Sequence, residues 1–164
     1  MALKIRRGGH TDYDAVEAIS REVAAFHTAS RPDVFRVPQG PTLPLPYFIE
    51  LIDDHRAAFF VAEVDGRIVG YVIAYLREVV ENPVRVPERY VKVDTLAISA
   101  PYRRRGLGRR LMRRVHAWAA RHGAVRSSLS VWAFNEGART LYEGLGYRVD
   151  YLRMSKPLGD DPGC

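Results

Sequence analysis

A mixed α/β fold, built on a central, mostly antiparallel twisted sheet with helices on both faces, is predicted by three features of the 164-residue sequence. Asp65-Gly66 stands between two apolar runs, the strongest short-range signal for a β-hairpin. Leu107, Leu111, Val115, Trp118 and Ala119 recur on one face of a long helix, while Arg109, Arg110, Arg113 and Arg114 occupy mainly its other sides. That helix separates two strand-like runs, so it can form the crossover between parallel neighbours.

Along the chain, Lys4 to Arg7 opens as a short strand. Thr11 and Asp14 give an imperfect capping signal before Val16, Ile19, Val23 and Phe26 recur at helical spacing, which predicts a helix over 12–28. The segment RPDVFRVPQGPTLPLP holds five prolines and reads as an irregular connection, either a plain surface loop or the rim of a substrate entrance. Phe48, Leu51 and Ile52 suggest a short helix from Tyr47 to His55. Ala57 to Val64 and Arg67 to about Arg77 are the hairpin strands.

After the loop ENPVRVPERY, Val91 to Ile98 is the next strand. The long helix follows, then a strand over Val125 to Trp132, a helix capped by Asn135 that runs to about Gly144, and a final strand over Tyr147 to Met154.

The length suits one domain over 1–164, with 157–164 as a short tail. The net charge of +6 comes almost entirely from arginine, since only Lys4, Lys92 and Lys156 are lysines, so it points only weakly to an acidic partner. The single cysteine, Cys164, cannot form an internal disulfide, which fits a reducing, cytoplasmic setting better than a secreted scaffold. No apolar run approaches bilayer-spanning length, and the start MALKIRRGG lacks a secretory apolar segment, so no membrane association is expected.

Chemistry concentrates in YRRRGLG, where a strand should give way to the long helix. Two glycines in a first helical turn each weaken helix formation by about 1 kcal/mol relative to alanine, so they need a backbone geometry or a close approach to justify them. The first helical N–H groups have no internal acceptors and can receive phosphate oxygens. The glycine spacing matches neither the nucleotide-triphosphate loop nor the dinucleotide fingerprint.

This segment resembles the central motif of the GCN5-related N-acetyltransferase (GNAT) superfamily, in which a Gln or Arg precedes two closely spaced small residues; Arg103, Gly106 and Gly108 match. The resemblance continues in NEGARTLYEGLGY through Asn135, Ala138, Leu141, Tyr142, Gly146 and Tyr147, and covers roughly Ala57 to Lys156. It implies a GNAT-like acyl-coenzyme A fold and acetyl-coenzyme A as cosubstrate, without metal. It further implies that Arg103, Arg104, Arg105, Gly106, Leu107, Gly108 and Arg109 surround the pyrophosphate, largely through backbone N–H groups. Leu107 and Leu111 are expected to be core anchors, and Arg110, Arg113 and Arg114 a solvated face or contacts to an outer phosphate.

By the same resemblance the thioester lies beside Leu96, Ala97 and Ile98, with a backbone N–H near Ile98 on the carbonyl oxygen and strand divergence beside Val131 admitting the pantetheine arm. Tyr142 is the candidate proton donor to the departing sulfur, with packing as its other reading. Asn135 is a candidate contact to pantetheine or water, or simply a helix cap. An acceptor ammonium with a pKa near about 10.4 must lose a proton before attack. Asp94 is the first candidate for taking it through water; Glu88 and Glu136 rank below it, and the strand-proximal Glu that many members use is missing between Val91 and Ile98.

The acceptor is expected to be a primary amine of a small molecule or peptide, attacking directly in a ternary complex. Glu50, Asp53, Asp54, Tyr90 and His55 are further candidates near it, each equally explained as surface or structural residues. A homodimer through the final strand is a further expectation from the resemblance. The competing functions are a basic nucleic-acid-associated module and a non-catalytic acyl-coenzyme A-binding protein. The apolar face of the long helix must pack and disfavours the first, so no nucleic-acid partner is expected.

Overall fold

The computed structural model describes residues 2–158; Cys164 and the expected tail from 159 onward lie outside the described residues. Five strands form one sheet in the order β1-β2-β3-β4-β5. They are β1 Leu3–Arg7, β2 Ala57–Val64, β3 Arg67–Val79, β4 Glu88–Ile98 and β5 Arg126–Leu129. The first four pair antiparallel and β5 runs parallel to β4. Four α-helices complete the fold: α1 Tyr13–Ser30, α2 Leu45–Asp53, α3 Leu107–Arg121 and α4 Glu136–Glu143.

Asp65 and Gly66 both adopt positive φ in the β2–β3 turn, as a tight hairpin requires. The helix α3 crosses between β4 and β5, and its Leu111, Met112, Val115 and Trp118 are buried against Ala58, Phe60, Val72 and Ala74. Against the opposite face, Val16 and Ile19 of α1 and Phe48 and Leu51 of α2 cover Phe59, Val61, Tyr71 and Ile73. Each such side chain contributes about 1.5–3 kcal/mol by leaving water, which is why the apolar periodicity fixes these helices to the sheet.

Three elements differ from the sequence expectation. The helix α2 starts two residues earlier because Pro46 sits in its first turn, where a missing N–H costs nothing. The strand β5 is four residues rather than Val125 to Trp132, since its partner β4 changes register at Asp94. Most clearly, Tyr147 to Met154 forms no strand. It pairs with no described strand although β5 is the edge of the sheet; Val149, Tyr151, Leu152 and Met154 are exposed, and Asp150 is tethered through a 3.2 Å ion pair with Arg126.

Two carboxylates on α1 hold the loops that flank the sheet's end. Glu17 accepts from the Thr42 and Leu43 N–H groups at 2.9 and 2.8 Å, and Glu22 accepts from the Ser99 hydroxyl and Ala100 N–H at 2.7 and 2.8 Å. A third, Asp12, is buried and accepts two 2.8 Å bonds from Arg6 and one of 2.9 Å from the Gly9 N–H. The Arg6 guanidinium holds the Asp12 carboxyl below its ordinary range. A depressed folded-state pKa contributes stability above the unfolded value of about 4 that is lost as pH falls through the folded one. Asp12→Asn should therefore cost about 2 kcal/mol at pH 7 and flatten the acid limb of the stability curve, measured by urea unfolding between pH 3 and 7. An unchanged acid limb would contradict this.

No helix among the described residues is long and apolar enough to cross a membrane.

Candidate active site

The site begins where β4 and β5 part. Tyr90 to Val93 pair with Arg126 to Leu129, and beyond them β4 continues alone on that edge. Val93 faces Ala74 and Thr95 faces Ile73, so Asp94 is the extra residue of a β-bulge. Further along, the Ser99 N–H donates to the Val69 carbonyl on β3 at 2.9 Å. Alternation along an antiparallel strand then turns the Leu96 and Ile98 backbone groups to the free edge. The Ile98 carbonyl accepts from Arg103 Nε at 2.9 Å there, and Ala97 is buried on the α1 side of the sheet.

From Ser99 the chain turns through a short 3-10 turn, Ala100–Tyr102, into α3. Arg104 and Gly106 adopt φ of 63° and 76° around Arg105. A left-handed arginine costs about 1–2 kcal/mol, and such alternating backbone forms a concavity of N–H groups suited to an anion. Gly106 caps α3 without a side-chain bond, and no acidic residue stands in the helix's first turn, so its positive end is uncompensated. A Cβ on Gly106 would meet nothing within 4 Å; it would project into open space beside the turn. A Cβ on Gly108 would instead stand 3.0 Å from Leu141, so this glycine brings α3 against α4.

The arginines divide by partner. Arg103 turns back onto Ile98 and lies 3.6 Å from Glu22, Arg105 lies over the Tyr102 ring, and Arg109 donates to the Gly144 carbonyl at 2.9 Å. Arg114 covers the Phe60 ring. Among the described residues, Arg104, Arg110 and Arg113 are not engaged by a carboxylate or carbonyl. Leu107 and Leu111 are buried, as core anchors.

Asn135 accepts from the Ala138 N–H at 3.1 Å, which makes it the N-cap of α4. On that helix Tyr142 is half-buried, and burial raises its phenol to about 12, so it remains protonated and can only donate near neutrality. Its ring packs edge-on against Tyr147 at 5.7 Å. The Tyr147 hydroxyl is held by His116 Nε2 at 2.8 Å and the Ser127 hydroxyl at 2.5 Å, which ties α3, β5 and the end of α4 together behind Tyr142. Burial lowers the His116 pKa, which keeps that imidazole neutral.

Through its bulge, β4 presents Asp94 and Thr95 to an open cleft of about 430 Å³ on the α1–α2 side. His27, Phe35, Tyr47 and Tyr71 also line it. The Tyr47 and Tyr75 hydroxyls are hydrogen-bonded to one another, and burial raises both phenols. The remaining candidates do not line this cleft. Glu88 is paired with Arg126, which lowers its pKa; Tyr90 lies under the same guanidinium. Glu136 is in the exposed first turn of α4, Asp54 accepts from the Arg56 N–H, Asp53 lies 3.7 Å from His10, and Glu50 and His55 are exposed.

One group becomes visible only in the fold, although the stretch from Phe26 to Pro38 that supplies three of its rings is marked in the sequence as a contributor to acceptor selection. Phe26, His27, Phe35, Trp132 and Phe134 form a continuous aromatic cluster joining α1, the proline loop and the segment before α4. Its members lie in three distant segments, and no local spacing announces them.

The family model for the acetyltransferase (GNAT) family matches residues 22–147. An N-alpha-acetyltransferase of Sulfurisphaera tokodaii is 31% identical over 162 residues, covering 96% of this chain and 88% of that protein. An uncharacterized N-acetyltransferase of Mycobacterium tuberculosis is 30% identical over 152 residues, 87% of each chain. Among solved structures, a mutant of a Bacillus halodurans protein superposes with a TM-score of 0.91 at 25% identity, over 94% of this chain and 99% of that one. The ribosomal-protein-alanine N-acetyltransferase of Brucella melitensis shares the fold, with a TM-score of 0.66 at 23% identity over 96% of this chain and all of that one.

Proposed function

The chain belongs to the GNAT family of acetyltransferases, and on that premise we propose that it transfers an acetyl group from acetyl-coenzyme A to a primary amine of a small molecule or peptide. The donor reading is carried by the turn at Gly106. It offers left-handed backbone, an uncompensated helix N-terminus, nearby guanidinium groups and open space at the glycine, which together suit a pyrophosphate. The free edge of β4 beyond Val93 suits a pantetheine arm, which carries amide groups able to bond as a strand does.

When bound, acetyl-coenzyme A supplies an activated thioester. The Ile98 N–H, turned to the free edge, donates to the carbonyl oxygen as it gathers negative charge. The amine nitrogen bonds to the acyl carbon and the carbon–sulfur bond breaks. Asp94 receives the first proton lost from the ammonium, directly or through water; Tyr142 protonates the departing sulfur and is reprotonated, through water, by the second proton the nitrogen loses once it is acylated. The products are an acetamide, the free thiol and a proton released to solvent once Asp94 and Tyr142 return to their starting states. The relatives named for N-alpha-acetylation make a peptide α-amine one natural acceptor to try first.

The deciding experiment couples acetyl-coenzyme A titration calorimetry to an amine panel read by product mass. Binding with a mass increase of one acetyl group supports the reading; absence of binding removes it. Gly106→Ala tests the turn itself. The new methyl both strains a left-handed backbone and enters the open space, so we expect the acetyl-coenzyme A Kd to rise about tenfold with about 1 kcal/mol lost in stability. An unchanged Kd would place the anion elsewhere.

A further inference from the structure

The acceptor cleft has a composition that discriminates among amines. Among the described residues that line it, Asp94 is the one carboxylate and none is lysine or arginine; Glu17, behind Thr42 and Leu43, is taken up by their N–H groups and by Arg21 at 3.0 Å. Four of its side chains are aromatic: His27, Phe35, Tyr47 and Tyr71. Their polar tips are largely engaged. Tyr47 shares its hydroxyl with Tyr75, and His27 Nδ1 lies 2.8 Å from the Val23 carbonyl, so that nitrogen carries the proton and donates it.

Two of these rings also belong to the aromatic cluster. His27 meets Phe35 edge-on at 5.0 Å, Phe26 at 5.8 Å and Phe134 at 5.7 Å. Phe35 meets Trp132 at 5.2 Å, and Arg31 lies over the Trp132 ring at 5.9 Å. Edge-to-face contacts of this kind fix ring orientation. The proline loop is thus pinned to the segment that precedes α4, and His27 and Phe35 present a braced apolar wall.

A compound with several ammonium groups would bring charges into the cleft that one carboxylate cannot balance, and desolvating an unpaired cation is costly. A single ammonium matches Asp94, and an adjoining flat apolar group matches the rings, which also attract a cation to their faces. Resting on the acetyl-transfer reading above, we propose that the preferred acceptor is an aromatic primary amine with one ammonium group, its nitrogen paired with Asp94 and its ring packed against His27 and Phe35. Such an amine can be free or can be the first residue of a peptide.

The test uses the full chain with saturating acetyl-coenzyme A and compares kcat/KM within matched pairs: 2-phenylethylamine against ethylamine, and Phe-Gly-Gly against Gly-Gly-Gly, with spermidine as a polycation. We expect at least about a tenfold preference for the aromatic member in one or both pairs, and spermidine below it. A preference in only one pair supports the proposal and identifies the source as free amine or peptide. Phe35→Ala should reduce the aromatic-to-small ratio to below about threefold, with Phe35→Leu intermediate; the leucine variant keeps an apolar side chain in the loop and serves if the alanine variant does not fold. Ratios below about threefold in the unmodified protein, spermidine as the fastest acceptor, or a ratio undiminished in both Phe35 variants would overturn the proposal. Failure to bind acetyl-coenzyme A by calorimetry would overturn the parent reading as well, whereas binding and transfer without the aromatic preference would overturn this inference alone.

Discussion

Tyr142→Phe will lower turnover about 10- to 100-fold below pH 8 while leaving the acetyl-coenzyme A KM within about threefold, a loss at the lower end of general acid catalysis. The size follows from the leaving group. A thiol has an ordinary pKa of about 8.5, so a thiolate can leave unaided at a moderate rate, and the donor accelerates the step rather than making it possible. The sign of the pH dependence follows too. Below about pH 8.5 a proton must eventually reach the sulfur, and the deficit is largest; above it the unprotonated product is acceptable and the deficit shrinks. Because burial raises Tyr142 to about 12, the unmodified enzyme should show no falling limb from this group up to about pH 10. Steady-state rates from pH 6 to 10 check both statements, and turnover equal to the parent protein across that range would falsify the donor role. The phenylalanine keeps the ring contact with Tyr147, so a fold defect is not expected to imitate the result.

The parts of this molecule that were legible in the sequence are those fixed by local pattern. Asp65-Gly66 could form only a tight turn with its positive φ values, and Leu107, Leu111, Val115, Trp118 and Ala119 repeat an apolar face that the sheet then buries. Tyr147 to Met154 shows the limit of the same reasoning. Its apolar residues alternate from Tyr147 to Tyr151, but a strand exists only when an edge accepts its hydrogen bonds, and the edge strand β5, four residues long, is too short to template the whole segment. Pattern describes what a segment can do; pairing depends on where its neighbours end.

The site divides in the same way. Gly106 and Tyr142 could be proposed for it because short motifs carry them, whereas their surroundings are assembled from afar. Glu22 reaches the Ala100 N–H across 78 positions, and Glu17 reaches the Thr42 and Leu43 N–H groups across 25 and 26. Neither carboxylate has a spacing that marks it. The arginines could be sorted only in the fold: seven stand between Arg103 and Arg114, and their number alone suggests an acidic partner. In the fold Arg103 and Arg109 are bonded to carbonyls and Arg105 and Arg114 cover aromatic rings, so much of the apparent cationic patch is structural. What faces outward at the turn is chiefly backbone, whose geometry depends on Arg104 and Gly106 rather than on the count of charges.

Gly8→Ala should be the most disruptive glycine-to-alanine change among the described residues. The added Cβ would stand 2.0 Å from Phe59 Cε1 and 2.3 Å from Cδ1, far inside contact distance. Neither side can yield easily. The Gly8 N–H donates to the Phe59 carbonyl at 2.9 Å, which holds the backbone in place, and the Phe59 ring is buried between edge contacts to Phe48 at 5.4 Å and Tyr71 at 6.5 Å. Overpacking of this kind costs about 3 kcal/mol. In a chain of this size that lowers Tm by about 6–12 °C, readable by circular dichroism. Gly9→Ala is the matched control, since its Cβ would meet nothing within 4 Å and its backbone is extended. The defect should also be asymmetric in function. Tyr71 lines the cleft proposed for the acceptor and Phe48 anchors α2 beside it, while the turn at Gly106 packs through Leu107 into the core on the opposite face of the sheet. At temperatures where the variant remains folded, the acceptor KM should therefore rise severalfold more than the acetyl-coenzyme A Kd. Equal melting of the two alanine variants would show that Phe59 can move aside, and equal changes in both constants would show that the two faces of the sheet are not mechanically separate.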